Sequence, residues 1–186
     1  MRLQALALCL VLAACSQPRA LPTFNTIPEF TLTSHTGSQF RSAEQLKGRV
    51  WIADFIFTTC TGPCPRMSSQ MRRVQESLAD VPGIRVVSFT VDPNRDSPDV
   101  LAAYARRQNA DPARWFFLTG PAETLHMLKR QAFLLGNVDG KNLDHSTRFV
   151  LVDPQGRVRQ YYDTSEPASI PTLIADARRL ADRPSG

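Results

Sequence analysis

The residues with the most evident chemistry in this sequence are two cysteines, Cys60 and Cys64, in the segment TTCTGPCP of residues 58–65. Their spacing can bring both sulfurs to one side of a tight loop, which Gly62 permits and Pro63 stiffens. Two such thiolates can form a disulfide with each other or bind a soft metal ion, and thiolates favour Cu(I), zinc and iron–sulfur chemistry. Because two sulfurs do not complete a zinc or cluster site, a bound metal ion would need a further ligand.

A buried strand and an amphipathic helix are predicted on either side of the cysteines. Residues 50–57 (VWIADFIF) are mostly apolar and rich in β-branched and aromatic side chains, which is typical of a strand buried on both faces. Met67, Met71, Val74 and Leu78 then recur at helical spacing, and we interpret the two methionines as core residues rather than copper ligands. Since the first amides of such a helix would point toward the cysteines, we expect the thiol pKa values to be lowered.

The remaining pattern alternates short strands with helices. It predicts one α/β domain with a central mixed β-sheet flanked by helices and with an N-terminal hairpin. The predicted elements are a hairpin within 30–40, strands at 84–91 and 115–118, helices opening at Ser97-Pro98 and Gly120-Pro121, a second hairpin at 149–152 and 158–162, and a closing helix at 168–181.

His145 is the candidate for a third metal ligand among the three histidines. It precedes the apolar strand at 149–152, from which its side chain can project over the end of the sheet toward the cysteines. Two thiolates and one imidazole suit Cu(I) in three-coordination, and the set can be expanded for Cu(II). We expect His35, in a Thr–Gly turn, and His126, beside an apolar helix face, to be solvated.

The N-terminus has the pattern of an export signal. An apolar run follows a basic residue and ends in small residues before Cys15. Residues 12–15 (LAAC) resemble the bacterial lipobox, in which the cysteine is acylated and the chain is cut just before it. We therefore predict a lipoprotein signal peptide at 1–14, a proline-containing membrane tether at 15–28 and the folded domain at 29–186. The protein is expected in the bacterial cell envelope, lipid-anchored to a membrane with its domain in the periplasm or otherwise outside the cytoplasmic membrane.

Cysteine usage and charge narrow the classes of function. Cys9 would leave with the signal peptide and Cys15 would carry lipid, so that Cys60 and Cys64 remain as the thiols of the mature chain. An exported domain that keeps a single close pair favours redox or metal chemistry over a disulfide scaffold. The net charge of +5 comes from basic residues mixed with acidic ones, without a basic block, and predicts no nucleic-acid partner.

Four segments together resemble the Sco/SenC family in order and approximate spacing, over residues 29–181. The resemblance implies a thioredoxin-like fold and one copper ion per chain, as Cu(I) and/or Cu(II), held by Cys60, Cys64 and His145. It also implies a role in maturing the binuclear copper centre of cytochrome c oxidase subunit II. Asp92 matches the family motif and is expected either to contact the copper ligands without binding the ion or to face a partner protein. The segments are 57–65, 90–93 (TVDP) with Asp96 and Pro98, 144–146 (DHS) and 151–156 (LVDPQG).

Two functions remain open from the sequence. In the first, a membrane-anchored chaperone receives copper from an upstream periplasmic donor and delivers it to that subunit or to another copper-accepting envelope protein. In the second, Cys60 and Cys64 are the catalytic residues of a thiol-disulfide reductase that keeps cysteines of the subunit or of other envelope proteins reduced, with a thiol reductant as its partner. Copper binding requires His145, whereas disulfide exchange does not. A CxxxC motif in place of CxxC favours metal binding. The sequence before Cys60 lacks a PxxxTxxC-like motif, which argues against a peroxidase.

Overall fold

The computed structural model describes residues 20–136 and 146–182. Helices and strands alternate along most of this part of the chain. In chain order they are β1 (Thr31–Ser34), β2 (Gln39–Arg41), α1 (Ser42–Gln45), β3 (Trp51–Ile56), α2 (Cys64–Ser77), β4 (Arg85–Thr90), α3 (Pro98–Arg107), β5 (Trp115–Thr119), α4 (Ala122–Met127), β6 (Arg148–Val152), β7 (Val158–Asp163) and α5 (Ser169–Ala181). A short π-helical segment, Leu128–Ala132, continues α4.

The strands form one mixed sheet in the order β2-β1-β5-β4-β3-β6-β7. The central strands β3, β4 and β5 are parallel, and antiparallel strands flank them on both sides. β3 and β4 pair from Trp51 and Arg85 to Ile56 and Thr90, and every residue of β3 is buried. A strand covered on both faces needs apolar side chains in both directions, which explains its continuous apolar run. The predicted α/β class and its mixed sheet are confirmed.

Side chains that alternate along β3 enter two separate core layers. Ile52 and Ile56 pack in the layer that contains α2, α3 and α5, whereas Trp51 and Phe55 pack in the layer with the β1–β2 hairpin and α4. The methionines of α2, at positions 67 and 71, are fully buried in the first layer. Their interpretation as core residues is therefore confirmed.

The chain joins the domain earlier than the sequence suggests. The backbone amides of Phe24 and Ile27 donate to the carbonyls of Val158 (2.9 Å) and Gly156 (2.8 Å). The Arg159 guanidinium donates to the carbonyls of residues 21 and 22, both at 2.7 Å. A domain start near residue 29 is thus too late, because residues 21–27 are hydrogen-bonded to residues 156–159, around the start of β7, and do not belong to a free tether.

Candidate metal centre

The cysteine loop, residues 57–63, connects the end of β3 to the start of α2. The amide of Cys60 donates to the Phe57 carbonyl (3.2 Å) and closes a turn, and the amide of Met67 donates to the Pro63 carbonyl (2.9 Å) and opens the helix. Prolines at 63 and 65 are compatible with this junction, since the first amides of a helix have no intrahelical acceptor. Local sequence therefore brings Cys60 into a turn and makes Cys64 the first residue of α2.

Both thiols are free and point into the protein. The exposed fraction is 9% for Cys60 and 3% for Cys64, and both belong to the core layer that contains α2. The two thiols are close enough for Cys60 to raise the pKa of Cys64, so the loop brings the sulfurs together. A pair in this arrangement can bind one soft ion or, after loss of two electrons and two protons, form a disulfide.

The expected lowering of the thiol pKa is wrong for Cys64. Burial raises the pKa of Cys64 to about 12, and the adjacent Cys60 thiol adds to the increase, while a backbone hydrogen bond with Phe57 opposes it. Desolvation of a buried group shifts a pKa by up to several units, whereas the dipole of a helix N-terminus contributes up to about 2 kcal/mol, or about 1.5 units. The inward direction of the side chain therefore outweighs the helix dipole, and the metal-free thiol is protonated at neutral pH.

A second buried acid, Asp54, lies in the middle of β3. Strand periodicity directs its side chain to the face of Ile52 and Ile56, beneath α2, and its exposed fraction is 0%. Neither carboxyl oxygen makes a hydrogen bond of normal geometry with the described residues. Burial raises the pKa of Asp54 to about 7, although the Ser88 hydroxyl on β4 opposes the increase. Its charge also raises the pKa of Cys64, so the acid is electrostatically coupled to the cysteine pair.

Asp96 is a residue of this site to which sequence reasoning assigned no role. It is fully buried, and its carboxylate accepts hydrogen bonds from the Thr58 amide, the Thr58 hydroxyl and the Thr90 hydroxyl. The signal available in the sequence was an aspartate next to the Ser97-Pro98 helix start, within the TVDP-containing family motif. Its partner Thr58 is 38 residues away, and short-range patterns do not show such pairings.

Asp92 lies in the same loop but is oriented differently. Its amide donates to the Thr90 hydroxyl (2.9 Å), and its carboxylate is 3.8 Å from the Arg95 guanidinium. The side chain is 16% exposed. A role behind the copper ligands or toward a partner stays a prediction for this residue.

The other predicted ligand, His145, lies outside the described residues, as does the predicted lipidation site Cys15. Within residues 20–136 and 146–182, no group of three or more His, Cys, Asp or Glu side chains is arranged to hold a metal ion. His126 is exposed, as expected. His35 is not solvated: it is 9% exposed, its ring packs edge-on against Phe117, and its Nδ1 accepts a hydrogen bond from the Phe117 amide.

Central parallel strands, flanking antiparallel strands and a cysteine pair at a strand–helix junction define a thioredoxin-like protein with a two-cysteine site. A family model described as SCO1/SenC matches residues 19–182. The chain therefore belongs to the SCO1/SenC family, and the resemblance found in the sequence is confirmed. No helix in the described part of the chain has the length and apolarity needed to cross a membrane.

Solved structures of this family are similar along most of the chain. The SCO1/SenC family lipoprotein of Bacillus anthracis is 30% identical, with a TM-score of 0.79 over 88% of this chain and 100% of that chain. BsSco, a member of the Sco family of cytochrome c oxidase assembly proteins in which a disulfide switch was identified, is 29% identical, with a TM-score of 0.76 over 89% of this chain and 100% of that chain. Copper-bound ScoI of Bradyrhizobium japonicum is 22% identical, with a TM-score of 0.67 over 84% and 99% of the two chains, and shows likeness of fold alone.

Proposed function

We propose that this protein is a copper chaperone that binds one copper ion through Cys60, Cys64 and His145. It would deliver the ion to the binuclear copper centre of cytochrome c oxidase subunit II. Delivery proceeds by ligand exchange, in which thiols of the acceptor replace those of the donor one at a time. In this proposal Cys15 carries the lipid that keeps the domain at the membrane on the periplasmic side.

The observation that carries the proposal is the pair of free, adjacent and buried thiols at the start of α2, in a chain of the SCO1/SenC family. Structural zinc sites and iron–sulfur clusters need four protein ligands, and two sulfurs with one histidine do not supply them. Cu(I) is a soft ion that favours thiolates. In an apolar, nearly dry surrounding the attraction between Cu(I) and the two thiolates is strong, and binding removes their protons despite the raised pKa.

The comparisons support the rest of the proposal by analogy with named relatives. A lipoprotein of this family supports the anchor, and the assembly role of BsSco supports the oxidase partner.

Copper titration of the processed, reduced chain in competition with a chromophoric Cu(I) chelator tests the proposal. We expect one Cu(I) per chain and an affinity weakened at least about tenfold by His145→Ala, since each tenfold step corresponds to about 1.4 kcal/mol of ligand contribution. His126→Ala is the matched control, because His126 is exposed and is not a predicted ligand. Binding that is weak in the unmodified chain, or indifferent to His145, contradicts the chaperone function.

Oxidation of the cysteine pair is expected to remove the copper site. A Cys60–Cys64 disulfide leaves no thiolate to coordinate the ion, so the oxidised protein should bind Cu(I) weakly or not at all. The measurement compares stoichiometry and affinity before oxidation, after oxidation and after re-reduction. We expect one bound ion before oxidation, none after oxidation and one again after re-reduction. Equal affinity in both redox states would disprove the site.

The adjacency of the two thiols also favours a second candidate function, thiol-disulfide reduction. One cysteine would attack a disulfide of the target and the other would resolve the mixed disulfide, leaving the target reduced and the Cys60–Cys64 pair oxidised. The protonated state of buried Cys64 makes it a poor attacking group, so Cys60, which is more exposed, would attack first. Reduction of a disulfide peptide that is unaffected by His145→Ala would support this function over the first.

A further inference from the structure

Asp96 connects the two central parallel strands at the end where the cysteines lie. Its Oδ2 accepts from the Thr90 hydroxyl (2.6 Å) and the Thr58 amide (3.1 Å), and its Oδ1 accepts from the Thr58 hydroxyl. Thr90 is the last residue of β4, and Thr58 follows β3 by two residues. Ser97, the next residue in the chain, caps α3 through its side chain. One carboxylate thus joins the ends of two strands and the start of a helix.

These hydrogen bonds begin where the backbone ladder between the strands stops. The last described ladder bond is from the Val91 amide to the Ile56 carbonyl, at 2.8 Å. Beyond it, Thr58 is held at both its amide and its hydroxyl by the same carboxylate. Because the Phe57–Cys60 turn contains Thr58, the bonds to Asp96 fix the turn that ends at Cys60.

A buried carboxylate can hold a loop in one defined position. Removing it from water is costly unless donors surround it, and charge-assisted hydrogen bonds to it are short and strong. Asp96 has three donors, and two of them come from a single residue of the cysteine loop. A metal or redox site requires its donor atoms to be held within about 0.5 Å of the productive geometry, which packing of an exposed loop alone rarely achieves.

We propose that Asp96 is the positioning residue of the cysteine pair: acting through Thr58, it sets the separation of the two sulfurs. The inference rests on the proposed function in so far as it concerns copper affinity. It extends to the dithiol–disulfide equilibrium, which depends on the same separation and needs no copper.

Three substitutions test the inference in the processed full chain. Asp96→Asn keeps the size of the side chain but replaces an accepting oxygen by a donor. Thr58→Val removes the hydroxyl bond and keeps the shape, whereas Thr58→Ser retains the hydroxyl and should restore the original behaviour. Ser97→Ala is the matched control, because it removes the cap of α3 next to Asp96 without touching Thr58.

The expected result is a loss of Cu(I) affinity of about 10–100-fold for Asp96→Asn, the usual effect of removing a residue that orients metal ligands. Thr58→Val should lose affinity in the same direction, and Thr58→Ser and Ser97→Ala should stay near the unmodified chain. The second readout is the reaction of the dithiol with oxidised glutathione, which gives the Cys60–Cys64 disulfide and two reduced glutathiones. Its equilibrium constant should fall by about tenfold in Asp96→Asn, which is about 30 mV, because loosely held thiols close a disulfide less readily.

The two readouts separate failure of the inference from failure of the proposed function. If the unmodified chain binds no copper but the glutathione equilibrium shifts as expected, the positioning role stands and the chaperone function does not. If Asp96→Asn and Thr58→Val match Ser97→Ala in both readouts, Asp96 contributes only stability and the inference is overturned. Because Thr58→Val leaves the buried carboxylate in place, the test does not depend on the folding of Asp96→Asn.

Discussion

Replacing Cys64 with serine is expected to lower the Cu(I) affinity of the reduced protein by at least about 1,000-fold, or about 4 kcal/mol. A serine hydroxyl is a hard donor that stays protonated at neutral pH, so it does not replace a thiolate for a soft ion. The position is 3% exposed, and water cannot readily supply the missing ligand. The measurement is competition with a chromophoric chelator under anaerobic conditions.

Met71→Leu is the control for that experiment. Met71 carries a soft thioether on the same helix and is fully buried in the same core layer. Leucine has nearly the same volume, and such exchanges usually cost less than about 1.5 kcal/mol of stability. Copper affinity should be unchanged in this variant. Retained affinity in Cys64→Ser, or a loss in Met71→Leu, would show that the ion binds to sulfur elsewhere.

The stability of the protein is expected to fall between about pH 4 and pH 7 because of Asp54. Its pKa is about 7 in the folded protein and 3.8 in an unfolded chain, so over this range the folded state keeps a proton that the unfolded state has released. The free energy of unfolding then decreases as pH rises, by about 1.4 kcal/mol per pH unit and about 4 kcal/mol in total. The contribution is complete below pH 4 and is lost above pH 7.

Urea unfolding of the reduced protein and of Asp54→Asn, at several pH values from 4 to 8, measures this effect. The variant should lack the decrease, so that the difference between the two proteins changes by several kcal/mol across the range. Cys64 and Tyr104, the neighbours coupled to Asp54, have pKa values raised to about 12 by burial and stay neutral throughout. Asp80 and Asp163 have lowered pKa values but occur in both proteins, so their contribution cancels. Parallel pH profiles would contradict the assignment.

The central strands β3 and β4 were predictable because a continuous apolar run of this length is typical of a buried strand. Residues 50–57 and 84–91 were expected as buried strands, and β3 and β4 lie within one residue of those limits at each end. Runs that are apolar on both faces, followed by a turn or a proline, leave little alternative in a chain of this length. The junction that positions the cysteines follows from the same local pattern.

Long-range polar contacts were not predictable in this way. The pairing of Asp96 with Thr58 spans 38 residues, and it depends on how β4 and α3 are placed beside β3. Asp54 was visible as an acid within an apolar run, but its burial without a hydrogen bond and its coupling to Cys64 depend on the packing of α2 over the sheet. The prediction of a lowered thiol pKa failed for the same reason. Local sequence shows that a cysteine lies at the start of a helix, whereas its desolvation depends on the packing of the whole core.

The contacts of Arg159 with the carbonyls of residues 21 and 22 hold these two residues on the folded domain. If lipid is attached at Cys15, only residues 16–20 separate it from the first of those contacts, and the fully extended reach is about 20 Å. A tether of the predicted length would reach twice as far. So short a link would keep the domain close to the membrane surface, so that it would meet membrane-bound partners by lateral diffusion at a high effective concentration.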